Sequence, residues 1–167
     1  MRDSGLMAVR NGLVAVLANA ILILPTATGC ASTLLDQHIE QKAKGWTVVL
    51  EKVTDGPNDY ARGDNVHFVP PDGTRYLWFT LRIHNDESEA REFNYQGCDV
   101  DLGDKGFGPA IIDRDMIINA TADDVEKFSS GEENTRRLAF AFPEGQLPTR
   151  LACGEVVIGL GALGSGK

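Results

Sequence analysis

The stretch Arg75-Tyr-Leu-Trp-Phe-Thr-Leu-Arg-Ile-His-Asn85 most constrains the fold. Leu77, Phe79, Leu81 and Ile83 fall on one side of an extended chain, and Tyr76, Trp78, Thr80, Arg82 and His84 on the other. This alternation, rich in aromatic residues, specifies a strand with one face in a core. A helix would need apolar residues three and four apart, and no such stripe is present.

The other apolar segments read as strands around it. Gly45–Val53 places Trp46, Val48 and Leu50 on one face and reads as the first strand. Thr54-Asp-Gly-Pro-Asn58 is turn chemistry, and a loop is expected from there to Val69-Pro-Pro-Asp-Gly73. His84–Ala90 reads as a polar turn. Arg91–Tyr95 is a short strand with Phe93 and Tyr95 on one side. At Gln96-Gly97 the apolar phase slips by one residue, and Cys98, Val100 and Leu102 align. A bulge or a bend into another strand accounts for the slip.

Gly103–Gly106 reads as a turn. Ala110–Ile112 and Met116–Ile118 are short apolar runs. Thr121–Lys127 is a turn or a brief helical piece, and Ser129–Asn134 a loop. Arg137–Phe142 turns Leu138, Phe140 and Phe142 inward. Arg150–Leu160 is the last strand, with a second slip beyond Gly154 read as a bulge. The fold class expected is all-β: an antiparallel sandwich of about seven strands. A small barrel is the alternative.

The first residues do not belong to that pattern. Arg2 and Arg10 make a positive start, Leu13–Leu24 is apolar apart from Asn19, and small residues precede Cys30. This is the layout of a secretory signal over residues 1–29. The run is short for a bilayer span, which needs about 20 apolar residues. Ala27-Thr-Gly-Cys30 resembles a bacterial lipoprotein box, which implies cleavage before Cys30 and its acylation. Ala27 departs from the leucine usual in that box, so ordinary signal cleavage near Ala31 is the alternative. Residues 30–45 are then a lipidated cysteine and a mobile tether, and 161–167 a frayed, glycine-rich tail.

The net charge is −8, and removing the leader with its two arginines makes the remainder more acidic. Such a surface disfavours nucleic acid and anionic head groups as partners. It suits a basic protein or a cation. With Cys30 acylated, Cys98 and Cys153 are an even pair in an oxidising compartment, and a disulfide between them is expected. Their strands must then lie side by side or face to face. No CxxC spacing or neighbouring histidine supports a redox or metal pair.

Tyr76–Asn85 followed by Asp86-Glu-Ser-Glu89 resembles a strand and turn of a family of uncharacterised bacterial immunoglobulin-like domains. Val100-Asp-Leu102 with Gly106 resembles its next strand and turn. Gly131-Glu132 resembles its Pro-Gly-Glu step, with Ser130 in the proline's place, and Leu138–Gly145 its penultimate strand. The resemblance covers residues 46–160. It implies secreted or lipid-anchored proteins, similar in fold to a group of secreted immunoprotective antigens, and carries over no catalytic residue.

Candidate chemistry is sparse. His38, His67 and His84 sit in no nucleophile elbow and no paired metal spacing. Asp99, Asp101 and Asp104 before Gly106 are a weak candidate cation loop, short of the oxygens calcium wants. Tyr76, Trp78, Arg82 and His84 form a candidate binding face, with cover by a loop or neighbouring strand as the competing reading. Arg62-Gly-Asp64 and Asn119-Ala-Thr121 match short motifs that recur by chance. No cofactor is expected. The function expected is a non-enzymatic, lipid-anchored envelope protein that binds another envelope protein or a small ligand. The alternative is an inhibitor or immunity lipoprotein that blocks a basic secreted enzyme. The partners expected are the membrane, through the lipid, and an envelope protein, with no nucleic acid.

If Cys30 carries lipid, Cys30→Ala blocks leader processing and abolishes partitioning into the detergent phase. A variant processed and partitioned like the wild type would remove the lipid from the account.

Overall fold

The computed structural model describes residues 31–62, 66–115, 120–161 and 163. The leader, Cys30, Gly63, Asp64 and Asn119 lie outside the described residues. The strands are β1 (Ser32–Ala43), β2 (Trp46–Asp55), β3 (Tyr60–Arg62), β4 (Val66–Phe68), β5 (Thr74–Asn85), β6 (Arg91–Asn94) and β7 (Cys98–Leu102). There follow β8 (Lys105–Phe107), β9 (Ile111–Asp115), β10 (Ala120–Thr121), β11 (Val125–Phe128), β12 (Glu133–Pro143), β13 (Arg150–Cys153) and β14 (Val156–Gly159). One sheet has the order β1-β2-β5-β12-β9-β10, and the other β14-β13-β7-β8; β11-β6 and β3-β4 are separate pairs. Neighbours run antiparallel throughout, and the protein is the expected β-sandwich.

The core lies between the sheets, and the alternation of β5 puts Leu77, Phe79, Leu81 and Ile83 into it with no exposed surface. From β12, Leu138, Phe140 and Phe142 join them as expected, with the Phe79 and Phe140 rings edge-to-face at 5.2 Å. The opposite sheet supplies Val100, Leu151 and Ile158. Cys98 and Cys153 are paired neighbours on β7 and β13, their Cα atoms 4.0 Å apart, and they form the expected disulfide across 55 residues. In the chain-entropy model a loop of that length gives about 4 kcal/mol.

Several expectations are corrected. The tether expected up to residue 45 is, from Ser32 to Ala43, an edge strand paired with β2 along its length. Its outward side chains are polar because an edge strand faces water, and register shifts at Thr33/Leu35 and Asp36/Ile39 break the alternation that would have revealed it. Lys44 (φ 50°) and Gly45 (φ 73°) turn it into β2. Positive φ at both central residues is the two-residue turn that suits strand twist.

The loop expected after residue 54 contains the β3–β4 hairpin. Thr121–Lys127 ends in β11, which pairs with β6. The slip at Gly154 is not a bulge. It is a tight turn between β13 and β14, with Gly154 at φ 60°. The slip at Gln96-Gly97 is the expected bend: a 3-10 turn, Tyr95–Gly97, carries the chain from β6 into β7, capped by Asn94 Oδ1 accepting from Gln96 N–H. In the tail, Leu163 is buried and bonds back to Leu160. The strands outnumber the seven expected because short hairpins stood hidden in segments read as loops.

Asn85, at the end of β5, has no exposed surface. Its amide donates to the carbonyls of Glu89 (2.8 Å) and Ser129 (3.0 Å), and its Oδ1 accepts from Glu87 N–H (3.1 Å). It thereby ties the 86–90 loop to the turn before β12. Asn85→Ala removes these part-buried bonds and leaves a small cavity at a fully buried position, and is expected to cost about 1–3 kcal/mol, measured by urea unfolding. A loss below about 0.5 kcal/mol would mean the loop holds itself.

Candidate binding cleft

One end of the sandwich is open. The β1–β2 turn, β6 and the β13–β14 turn surround a cleft of about 310 Å³, lined by Ala43, Trp46, Phe93, Asn94, Gly154 and Val156, among others. Trp46 lies edge-on to Phe93 (5.2 Å) and Phe128 (5.5 Å), which fixes its plane as the floor. The Arg91 guanidinium stacks 4.9 Å from the Trp46 ring and donates to the Lys44 carbonyl at 2.5 Å. Gly45 is needed here for its positive φ, and a Cβ would also push aside the Glu87 and Arg91 side chains that close over it.

The 86–90 loop stands beside this cleft. Asp86 accepts from Thr47 Oγ1 at 2.6 Å and lies 2.8 Å from His84 Nδ1, and its amide donates to the Gly45 carbonyl. The Thr47 hydrogen bond, followed by the His84 contact, holds its carboxyl below the usual range.

The residues singled out in the sequence do not converge. Tyr76 and Trp78 are 3% and 2% exposed, so they are not surface anchors. The β3–β4 hairpin covers them, and Tyr60 stacks on Trp78 at 5.3 Å, so the reading in which a loop covers the face is the one that holds for this pair. Trp78 Nε1 donates to the Pro57 carbonyl at 3.0 Å, and Asn58 Oδ1 accepts from Tyr76 N–H at 2.7 Å. Arg82 is bonded to Glu51 and Glu133, both at 2.8 Å. These bonds raise its pKa further.

His38 is exposed on β1, and His67 pairs with Asp59 at 2.7 Å on the surface. Asp104 sits exposed in the β7–β8 turn. Asp99 and Asp101 are neighbours on β7, and Arg150 pairs with Asp101. Among the described residues no three potential metal ligands come together.

A buried polar cluster escaped the sequence reading. Asp113, on β9, is 1% exposed; Tyr60 donates to it at 3.0 Å and Arg137 Nε at 2.9 Å. Arg137 also stacks 4.6 Å from Trp78. Burial, then the Asp113 charge, pushes the Tyr60 hydroxyl well above its ordinary range. Every member is partnered, which makes the cluster a clasp holding the hairpin rather than reactive machinery. No local motif announces it, because its members come from β3, β5, β9 and β12. Trp46, Arg91 and Phe93 were likewise legible only as parts of strands.

Burial, then repulsion from Asp101, raises the Asp99 carboxyl above its usual value, and Asp99 Oδ1 is buried without a partner. A carboxyl whose folded pKa is raised favours the fold below its unfolded pKa, and that contribution is lost as pH rises through the folded value. Asp99→Asn is therefore expected to raise the melting temperature at neutral pH and leave it unchanged in acid. Solvent screening keeps the gain below about 1 kcal/mol. Destabilisation at neutral pH would show that the charge is useful in place.

No family model and no curated protein matches the chain. Solved structures do. A conserved hypothetical protein from Bacillus anthracis matches with a TM-score of 0.52 at 12% identity, over 77% of this chain and 90% of that one. The yjhA protein from Bacillus subtilis matches with a TM-score of 0.48 at 18% identity, over 68% and 75%. An uncharacterized β-sandwich protein from Clostridium difficile matches with a TM-score of 0.48 at 12% identity, over 71% and 82%. At 12% identity the likeness to the Bacillus anthracis protein is one of fold alone.

Proposed function

We propose that the protein is an exported, lipid-anchored, non-enzymatic binding module of the bacterial envelope, whose end cleft receives a partner protein. The observation that carries the reading is the cleft itself. An aromatic floor, one stacked guanidinium and an open mouth suit recognition, and among the described residues no histidine lines the cleft. The leader layout ending at Gly29-Cys30 supports export and anchoring. The disulfide suits an oxidising compartment.

The second reading, an inhibitor or immunity lipoprotein, draws on a specific feature: Asp86, Glu87 and Glu89 stand beside the cleft, where a basic enzyme surface would find complementary charge. A photo-cross-linking residue at Glu155, on the rim, is expected to capture a partner in intact envelopes. The same residue at Asp72, exposed in the turn before β5, is expected to capture none. Ala43→Phe, which plugs the cleft, abolishes the capture. Capture that is equal from both positions, or indifferent to the plug, sinks the cleft as the site. Loss of a captured enzyme's activity selects the inhibitor reading.

A further inference from the structure

The wall of the cleft is a strand with one edge unused. Tyr95 N–H donates to the Asp124 carbonyl at 2.7 Å, and β6 pairs with β11 in the register Phe93↔Glu126 and Arg91↔Phe128. Alternate residues of an antiparallel strand turn their backbone groups to opposite edges. Arg91, Phe93 and Tyr95 thus face β11, and Glu92 and Asn94 turn theirs away from it. Among the described residues no strand pairs with that second edge.

The vacancy has a cause in the topology. β13 pairs with β7 as far as Cys153↔Cys98 and then reverses at Gly154, so it stops where the chain bends from β7 back into β6. The Gly154 amide reaches the Gly97 carbonyl at 3.4 Å, and Glu92 and Asn94 beyond it line the cleft. An extended segment laid along that edge would continue the line of β13. Its alternate side chains would enter the space over Trp46, Phe93 and Val156.

We propose, resting on the cleft as the binding site, that the partner is recognised by strand addition: an extended, basic segment of a protein pairs with the free edge of β6. Main-chain bonds to Glu92 and Asn94 would supply affinity, and an apolar side chain in the cleft would supply register. The charge of the segment follows from the rim. Glu92 and Glu155 line the vacancy, and Glu87 and Glu89 stand on the far side of Arg91 from it; against these four carboxylates the lining sets the exposed Lys44, while Arg91 is turned inward onto Trp46 and the Lys44 carbonyl. A lysine- or arginine-bearing segment is attracted to that rim and an acidic one repelled.

The test is a titration of the disulfide-bonded protein with a short peptide of alternating lysine and leucine, read by the backbone amide resonances of Glu92 and Asn94. Saturable binding that moves both amides is expected. The same peptide N-methylated at alternate backbone nitrogens, and one with glutamate in place of lysine, should each bind at least tenfold more weakly. Glu92→Pro removes an amide on the free edge, which strand geometry tolerates at an edge, together with one rim carboxylate; it should weaken binding by a similar factor beyond Glu92→Gln, which removes the charge alone. Equal binding of the N-methylated peptide, resonance shifts confined to sites away from the cleft, or no saturation would overturn strand addition.

The envelope cross-link separates the two failures. Capture that Glu92→Pro leaves intact while Ala43→Phe abolishes it sinks strand addition alone. Capture indifferent to both sinks the cleft.

Discussion

Everything in this fold leans on β5 being saturated. It is hydrogen-bonded along one side to β2 and along the other to β12, from Thr74↔Pro143 to His84↔Glu133. Over its first half it is also covered on both faces, by the main core and by the β3–β4 hairpin. That half, with neither a free edge nor a free face, cannot slip without exposing Leu77, Phe79, Tyr76 and Trp78 together. Asn85 then ends the strand by giving the 86–90 loop and the β11–β12 turn a common polar anchor.

Two arginine–aromatic stacks show how similar contacts serve different ends. Arg137 stacks on Trp78 while its charge is spent on Asp113, which has no exposed side-chain surface, so it fastens the hairpin to the sheet. Arg91 stacks on Trp46 at a rim, with a backbone carbonyl as its partner and carboxylates nearby. Removing the first would leave a buried carboxylate uncompensated, a severe loss. Removing the second would change a surface.

Much of the fold was legible in the sequence because β5, β7, β12 and β13 keep a strict period of two where one face is buried. The disulfide was legible from cysteine arithmetic and from the inward phase of both residues. β1 was not, because an edge strand carries polar side chains and this one is broken by register shifts. The β3–β4 hairpin was not, because strands of three residues leave no period to read. Of the candidate face Tyr76, Trp78, Arg82 and His84, the first two are covered, as the competing reading held, and the residues that cover them sit in that unread hairpin. The cleft could not be read at all. Its walls come from residues 43–46, 91–97 and 153–156, and only tertiary structure brings these together.

The length and placement of β1 bear on where such a domain could work. Its first residue, Ser32, lies beside Asp55, at the end of the sandwich opposite the cleft, and its last, Ala43, lines the cleft. Twelve residues of strand span about 35–40 Å. In the anchored form, the lipid at residue 30 would leave almost no slack before that rigid span begins. The mouth would then stand at a set height above the bilayer, like a fixture on a post rather than a float on a line. Its partner would have to present itself at that altitude. Lengthening the chain between residues 30 and 32 would trade this fixed standoff for reach, lowering the local concentration of cleft that a partner at the original height encounters.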